Sequence, residues 1–373
     1  MRARPEAASG MINVTKTFLP PLEDYVRHLE RVWASGWLTN NGEAVQQLER
    51  DLAAYLGVPH LLFLANGTLA LQLAIKALDL HDEIITTPFS YVATSSSIVW
   101  EGCRPVFVDI DPRTLTLDAR RIERAVTGRT TAILATHVYG IPCNVEAIVA
   151  IAARHRLRVI YDAAHAFGVR HRATSVLNFG DISTLSFHAT KLFHTVEGGA
   201  VVTADPVLAH KLSYLRNFGH DGPESFQGLG INAKNSEFHA AMGLCVLPHV
   251  PKIIQDRRRI SQRYDGHLSG AAPRIIRPEV PADTEYNYAY YPVIFETEHL
   301  LLATRAALVA QRIQPRRYFF PSLSELPYAE ASEVPVSRDV SRRVLCLPLF
   351  AELSDPDVDL IAQVVLETVS ATT

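Results

Sequence analysis

Cysteine is scarce in these 373 residues: Cys103, Cys143, Cys245 and Cys346 are the four, far apart in the chain. None has CxxC spacing, so neither a zinc knuckle nor a disulfide framework is suggested. Each reads as a small buried hydrophobe in a reducing compartment. An excess of one charge is lacking too. Lysine and arginine number 36 against 39 acidic residues, a net charge of −3. No electrostatic footprint therefore points to nucleic acid or to an anionic membrane. The basic run Arg257 to Arg259 reads as a solvated helix face. No apolar run reaches the length of a membrane span. The opening "MRARPEAASG" carries arginines but no apolar h-region, so a secretory signal is not expected. It reads as a flexible tail over 1–12, on a cytoplasmic protein that binds neither nucleic acid nor membrane.

Several catalytic signatures are missing as well. There is no G-x-x-x-x-G-K-[ST] phosphate loop, no G-x-S-x-G elbow and no HExxH, and no metal site is expected. "GLGIN" at Gly228 to Asn232 does not follow a strand and lacks the third glycine of a dinucleotide fingerprint.

What is present is a soluble globular composition, 48% hydrophobic and 20% charged, in a chain long enough for a large domain and a small one. "PLEDYVRHLERVWA" and "EAVQQLERDLAAYLG" have helical spacing, the second ending at Gly57 as at a C-cap. Strand-like runs then alternate with helices: "HLLFLA", "NGTLALQLAIKAL", "EIITTP", "YVATSSSIVWEG", and so on to "LRVIYDAA". That rhythm predicts crossover units and a mostly parallel sheet covered on both faces. After Pro248 it changes to a long helix, "PKIIQDRRRISQRYDGHL", and a smaller α+β pattern. We expect a large α/β domain over 13–248, then a linking helix and a small C-terminal domain over 249–373.

Ligands of open parallel sheets bind beyond the carboxyl ends of the strands, so the residues there carry the functional reading. Asn66-Gly67-Thr68 opens a helix and suits a phosphate, although alone it reads as well as an ordinary cap. Tyr91 is either a core aromatic or a lid over a planar ligand. Asp162 emerges from an apolar strand with His165 three residues on, a structural pair or an acid with a task. The next strand leads to Ser186, His188 and Lys191, a single lysine in apolar company ahead of "EGG". Desolvating an ammonium is costly unless the group is paired, neutralised or chemically used. Taken together, an anion-binding turn, an aromatic, an acid and a lysine on neighbouring strand ends meet the needs of pyridoxal 5′-phosphate. Its phosphate, ring, pyridine nitrogen and aldehyde each ask for one of them.

In order and spacing, "NGTLAL", "TPFSYVATSSSI", "PVFVDIDPRTLTLD", "VIYDAAHAFG", "LSFHATKLFHTVEGGAVVT" and "GINAKNSEFHAAMGL" resemble the DegT/StrS-type nucleotide-sugar aminotransferases. The likeness runs from about Phe18 to the final helix. It implies the aspartate-aminotransferase fold (PLP fold type I), usually a homodimer, with a mixed, mostly parallel sheet. By motif, Lys191 is then the Schiff-base lysine and Asp162 the partner of the pyridine nitrogen. Gly67, Thr68 and Ser186 match phosphate contacts and Tyr91 the stacking aromatic. His165 stands where many members have Gln, near the ring hydroxyl. Asn232 matches an asparagine sent into the neighbour's phosphate site. His188 and Tyr318, the latter in "RRYFFPSL", are candidate substrate contacts. Asn235 stands where Met is usual.

"FLPPLEDYVRHLERVWASGWLTNNG" and "SFHATKLFHTVEGG" resemble the viosamine-type 4-aminotransferases of deoxysugar and O-antigen or polysaccharide biosynthesis. That implies glutamate as donor and a dTDP-4-keto-6-deoxyhexose as acceptor, giving a 4-amino-4,6-dideoxy sugar. A 3-aminotransferase, a GDP- or UDP-linked substrate, and a non-catalytic regulator that binds pyridoxal phosphate or a nucleotide sugar remain open.

Overall fold

Runs of β-branched residues alternate with helical stretches, and in the computed structural model, which describes residues 10–371, they build two lobes. The tail expected over 1–12 lies outside the described residues as far as residue 9. Strand β1 (Ile12–Asn13) is followed by helices α1 (Leu22–Ser35) and α2 (Glu43–Leu56). Gly57 ends α2 at φ 66°, a left-handed conformation that glycine adopts without steric cost. The alternation then runs β2 (His60–Leu64), α3 (Gly67–Ala77), β3 (Glu83–Thr86), α4 (Val92–Trp100) and β4 (Arg104–Phe107). It continues with α5 (Ala119–Ala125), β5 (Thr130–Thr136), α6 (Val145–His155) and β6 (Arg158–Asp162). A short hairpin, β7 (Arg170–His171) and β8 (Thr174–Ser175), precedes β9 (Ile182–Ser186), β10 (Gly199–Thr203), α7 (Pro206–Leu215) and α8 (Glu237–Val246).

Seven of these strands form one sheet in the order β2-β10-β9-β6-β5-β3-β4. Only β10 runs against its neighbours in it; the other pairings are parallel. Helices cover both faces, which is why the strands read as nearly unbroken apolar runs. Ile84, Leu134 and Ile160 pack on one face with Leu71, Ile75 and Ile98. Their neighbours Ile85, Ile133 and Val159 pack on the other with Ile122 and Ile148. Each such side chain, fully buried, contributes about 1.5–3 kcal/mol. The same pairings put the ends of β2, β3, β6 and β9 on one edge.

Helix α9 (Val250–Leu268) joins the lobes. Its Val250 and Ile253 belong to a core beneath the large sheet, while Ile260, Tyr264 and Leu268 belong to the small lobe's core. There follow β11 (Ile275–Ile276), β12 (Thr284–Glu285), β13 (Tyr291–Phe295), α10 (Glu298–Ala310), β14 (Ile313–Gln314), α11 (Pro335–Arg343), β15 (Val344–Leu347) and α12 (Asp355–Ala371). Strands β11, β13 and β15 form an antiparallel sheet.

Two details differ from the sequence reading. Arg257 is no part of a solvated face: it is 3% exposed and its Nη1 donates to the Ala289 carbonyl at 3.0 Å. Burial pulls its pKa down to about 10. It sits between the two groups of α9 residues just named, where the helix leaves one core for the other. The N-terminal segment also belongs elsewhere. Strand β1 pairs in parallel with β14, and the Val14 carbonyl accepts from the Leu349 N–H, so residues 12–14 are tied to the small lobe. Thr17 and Phe18 cross back to the large one, bonding to Ala189 and His194.

Candidate active site

The edge that gathers the strand ends faces the small lobe across a cavity of about 710 Å³. Gly67, Thr68, Tyr91, Asp162, His165, Ser186, His188, Lys191 and Tyr318 all line it. Of the candidate cofactor and substrate contacts, Asn232 is the one absent from it: it is exposed on the loop before α8, and its side-chain oxygen accepts from Lys234 at 2.9 Å.

At one end, Asn66 caps α3, its Oδ1 accepting from the Leu69 N–H at 2.9 Å. The first-turn N–H groups of Gly67 and Thr68 have no acceptor among the described residues, and the hydroxyls of Thr68 and Ser186 share the cavity wall. A helix N-terminus so furnished attracts an anion. Both glycines here are required by close approach. A Cβ on Gly67 would lie 2.9 Å from Ser186 Cβ, and one on Gly199 would lie 2.5 Å from the Asn66 carbonyl carbon. The "EGG" motif thus lets β10 pass beneath the turn. Asn235 secures the same corner, donating to the carbonyls of Leu64 (3.3 Å) and Glu197 (2.9 Å). A methionine could make neither bond.

At the other end, Asp162 closes β6 and is 5% exposed. It accepts from Thr94 Oγ1 at 2.7 Å and from the Ala164 N–H at 3.1 Å, and it has no cation within salt-bridge distance among the described residues. Burial pushes its pKa up, while Thr94, Ala164 and the charge of Lys191 oppose this. Lys191 is half-buried rather than fully enclosed, its ammonium 3.4 Å from Tyr290 Oη. Desolvation lowers its pKa and the field of Asp162 works the other way. An amine held there gives up its proton more readily than an ordinary lysine.

His165 is 5% exposed and its Nδ1 accepts the Tyr139 N–H at 3.1 Å, which leaves the ring proton on Nε2. Burial holds the ring neutral, well below the usual histidine range. It lies parallel to Phe319, 5.6 Å between centroids, and edge-on to Tyr290 at 4.9 Å. Asp162 and His165 make no bond to each other, so a structural His–Asp pair is excluded here. Tyr91 is 58% exposed and therefore not a core aromatic. His188 is exposed; its Nδ1 is 2.8 Å from Thr190 Oγ1. Tyr318 stands edge-on to Tyr290 at 5.6 Å.

Sequence reasoning missed Tyr290, and it missed the hydroxyls behind Asp162. The repeated tyrosines of "YNYAYYPV" were a signal for the first. Ser90 and Thr94, one helical turn apart, were a faint one for the second. No group of three or more His, Cys, Asp or Glu is placed to hold a metal among the described residues.

The sequence profile of the DegT/DnrJ/EryC1/StrS aminotransferase family matches residues 22–366. A dTDP-4-amino-4,6-dideoxy-D-glucose transaminase of Shigella dysenteriae is 42% identical over 363 residues, covering 95% of this chain and 98% of the relative. A transaminase of the same name from Escherichia coli is 38% identical over 364 residues, with the same coverage. A solved structure of DesI in the presence of its TDP-sugar product superposes with a TM-score of 0.93 at 34% identity, covering 98% of this chain and 95% of that one. The architecture is the aminotransferase fold that the resemblance implied, a mixed and mostly parallel sheet between helices.

Proposed function

This chain belongs to the DegT/DnrJ/EryC1/StrS aminotransferase family and is a sugar aminotransferase; from that premise we propose its substrates, cofactor and catalytic residues. The reaction moves the amino group of glutamate to the C4 keto group of a dTDP-4-keto-6-deoxyhexose, giving a dTDP-4-amino-4,6-dideoxy sugar, with pyridoxal 5′-phosphate as cofactor. One observation carries this reading: a lysine without an acidic partner, a buried carboxylate without a bonded cation and a helix N-terminus with unspent N–H groups, all judged among the described residues, line one cavity. Each is costly or idle by itself.

The donor set fits the cofactor. Gly67, Thr68 and Ser186 would hold its phosphate, at a corner so close that a Cβ on Gly67 would crowd Ser186. Asp162 would hold the pyridine nitrogen protonated, and Tyr91 and His165 would flank the ring. When bound, pyridoxal phosphate supplies an aldehyde that exchanges amines and a ring that takes up the electron pair of a broken Cα–H bond. Lys191 would tether the cofactor through Nζ, and its freed amine would serve as the base that takes the proton from the donor's α carbon and passes it on to the cofactor. In the second half-reaction the same amine would carry a proton back from the aminated cofactor to C4 of the sugar. Its lowered pKa suits a base. Tyr318 and His188 also line the cavity and would meet the sugar nucleotide.

A homodimer and a cytoplasmic setting belong to the same proposal. Asn232 is exposed and outside its own chain's cavity, as a residue serving a second copy would be. Large apolar side chains such as Trp33, Trp100 and Leu229 are also exposed, which supports burial against a partner. All four cysteines are buried and free, as suits a reducing compartment, and no described helix is long and apolar enough to cross a membrane.

The test is NMR analysis of products after incubation with glutamate, pyridoxal phosphate and a panel of dTDP-, UDP- and GDP-linked keto-sugars. The expected product carries its new amine at C4 of the dTDP sugar. An amine at C3, or turnover confined to a UDP or GDP substrate, would replace this assignment. Binding without any product would favour a regulator.

A further inference from the structure

Asp162 is the end of a row of hydroxyls. Thr94 Oγ1 donates to Asp162 Oδ2 at 2.7 Å, Ser90 Oγ lies 2.7 Å from Thr94 Oγ1, and Thr136 Oγ1 donates to Ser90 Oγ at 3.1 Å. Ser90 is 2% exposed, Thr136 1% and Thr94 not at all. The proton directions are forced. Thr94 has one hydroxyl hydrogen and gives it to the carboxylate, so Ser90 must donate to Thr94, and Ser90 in turn accepts from Thr136. Three O–H dipoles therefore point one way, towards Oδ2. In such a chain each bond polarises the next, by roughly 10–30% in the condensed phase.

The row is assembled from three places. Thr136 ends β5, Ser90 lies in the turn after β3, and Thr94 is in the first turn of α4. Apolar residues of the same volume would fill these positions with no polar group to satisfy. The other groups facing Asp162 do not make the row redundant. Lys191 contributes a favourable field without a bond, the Ala164 N–H donates, His165 is neutral, and Cys143 is a buried thiol.

We infer that Thr94, Ser90 and Thr136 are positioning residues that keep the Asp162 carboxylate ionised and fixed in a site that would otherwise neutralise it. The inference deepens the reading of Asp162 as the partner of a protonated ring nitrogen, on which its functional meaning rests. The test is made on the apoprotein, so that failure of one is distinguishable from failure of the other. Aspartate is labelled with ¹³C at Cγ, and the Asp162 resonance is identified by its loss in Asp162→Asn. Its titration is followed in wild type, Thr94→Val, Ser90→Ala, Thr136→Val and Thr136→Ser, with folding checked by circular dichroism.

Proton affinity of Asp162 is expected to rise about tenfold in Thr94→Val, the size of one hydrogen bond to a charged group. The two outer variants should raise it by about threefold, with diminishing effect along the row. Thr136→Ser, which keeps the hydroxyl, should restore the wild-type midpoint. If one variant does not fold, the others carry the same readout. An unchanged Asp162 midpoint in folded Ser90→Ala and Thr136→Val, with only melting temperature reduced, would make the row packing and overturn the inference. Shifted midpoints in a protein that takes up no pyridoxal phosphate would leave the inference standing and remove the cofactor reading.

Discussion

Two carboxylates are buried in the same sheet, at opposite edges, and they are treated in opposite ways. Glu83 begins β3 and is inaccessible to solvent. It accepts from Thr127 Oγ1 at 2.6 Å and Arg129 Nη2 at 2.7 Å, and it also pairs with Arg104. These hydrogen bonds outweigh the burial that opposes them and hold its pKa down to about 2. Asp162 ends β6 with one hydroxyl and one backbone N–H, and its pKa is raised. A buried charge with its full complement of cations is finished structure. Asp162 lacks a cation and accepts only two hydrogen bonds, which leaves it open to a charged partner at the cavity. The amino edge of the sheet is closed by its own side chains, and the carboxyl edge is left open.

The contrast can be broken at four places. Lys191→Ala should have the largest effect, lowering turnover by at least about 10³-fold, since among the described residues no other amine lines the cavity to replace it. Steady-state assays of the loaded enzyme would decide, and an active Lys191→Ala protein would end the assignment. Asp162→Asn should come next, with turnover down about 10²-fold and melting temperature unchanged or raised, because it removes an unpaired buried charge while keeping shape. A variant that kept its activity and lost stability would reverse the comparison.

Glu83→Gln is the mirror image. Turnover should be unchanged and stability at neutral pH lower by about 2 kcal/mol, because the half-exposed arginines can still reach water. The sign with pH follows from a folded pKa below the unfolded one. The Glu83 contribution is complete above about pH 4.5 and fades as pH falls towards about 2. Denaturant melts of both proteins should therefore converge across that window; a gap independent of pH would mean lost packing instead. The smallest effect is expected of Asn235→Met, about 1 kcal/mol from two lost hydrogen bonds to half-buried carbonyls, measured by the same melts.

Much of this was legible in the sequence, for local reasons. Strand–helix alternation, the Asn66 cap and the Gly57 stop depend on a few neighbouring residues, and they predicted the elements well. The lysine, acid and turn were found because chemistry needs those groups at strand ends, and strand ends can be counted along the chain. Arg257 was misjudged because a helix shows its charges in sequence but not the lobes it bridges. The link between Val14 and Leu349 spans nearly the whole chain, and no local pattern announces it. Tyr290 and Phe319 reach the cavity from the small lobe, whose docking is not written in any one segment. The hydroxyl row was invisible for a similar reason: serines and threonines are common, and only their meeting behind one carboxylate makes them informative.

The sequence by itself determined the elements, the candidate reactive groups and the family, since propensity, caps and motif spacing act over a handful of residues. Only the tertiary structure decided which buried acid is neutralised and which waits for a partner. Desolvation and hydrogen bonding depend on what stands within a few ångströms in space, and for Glu83 and Asp162 those neighbours come from strands and turns far apart in the chain.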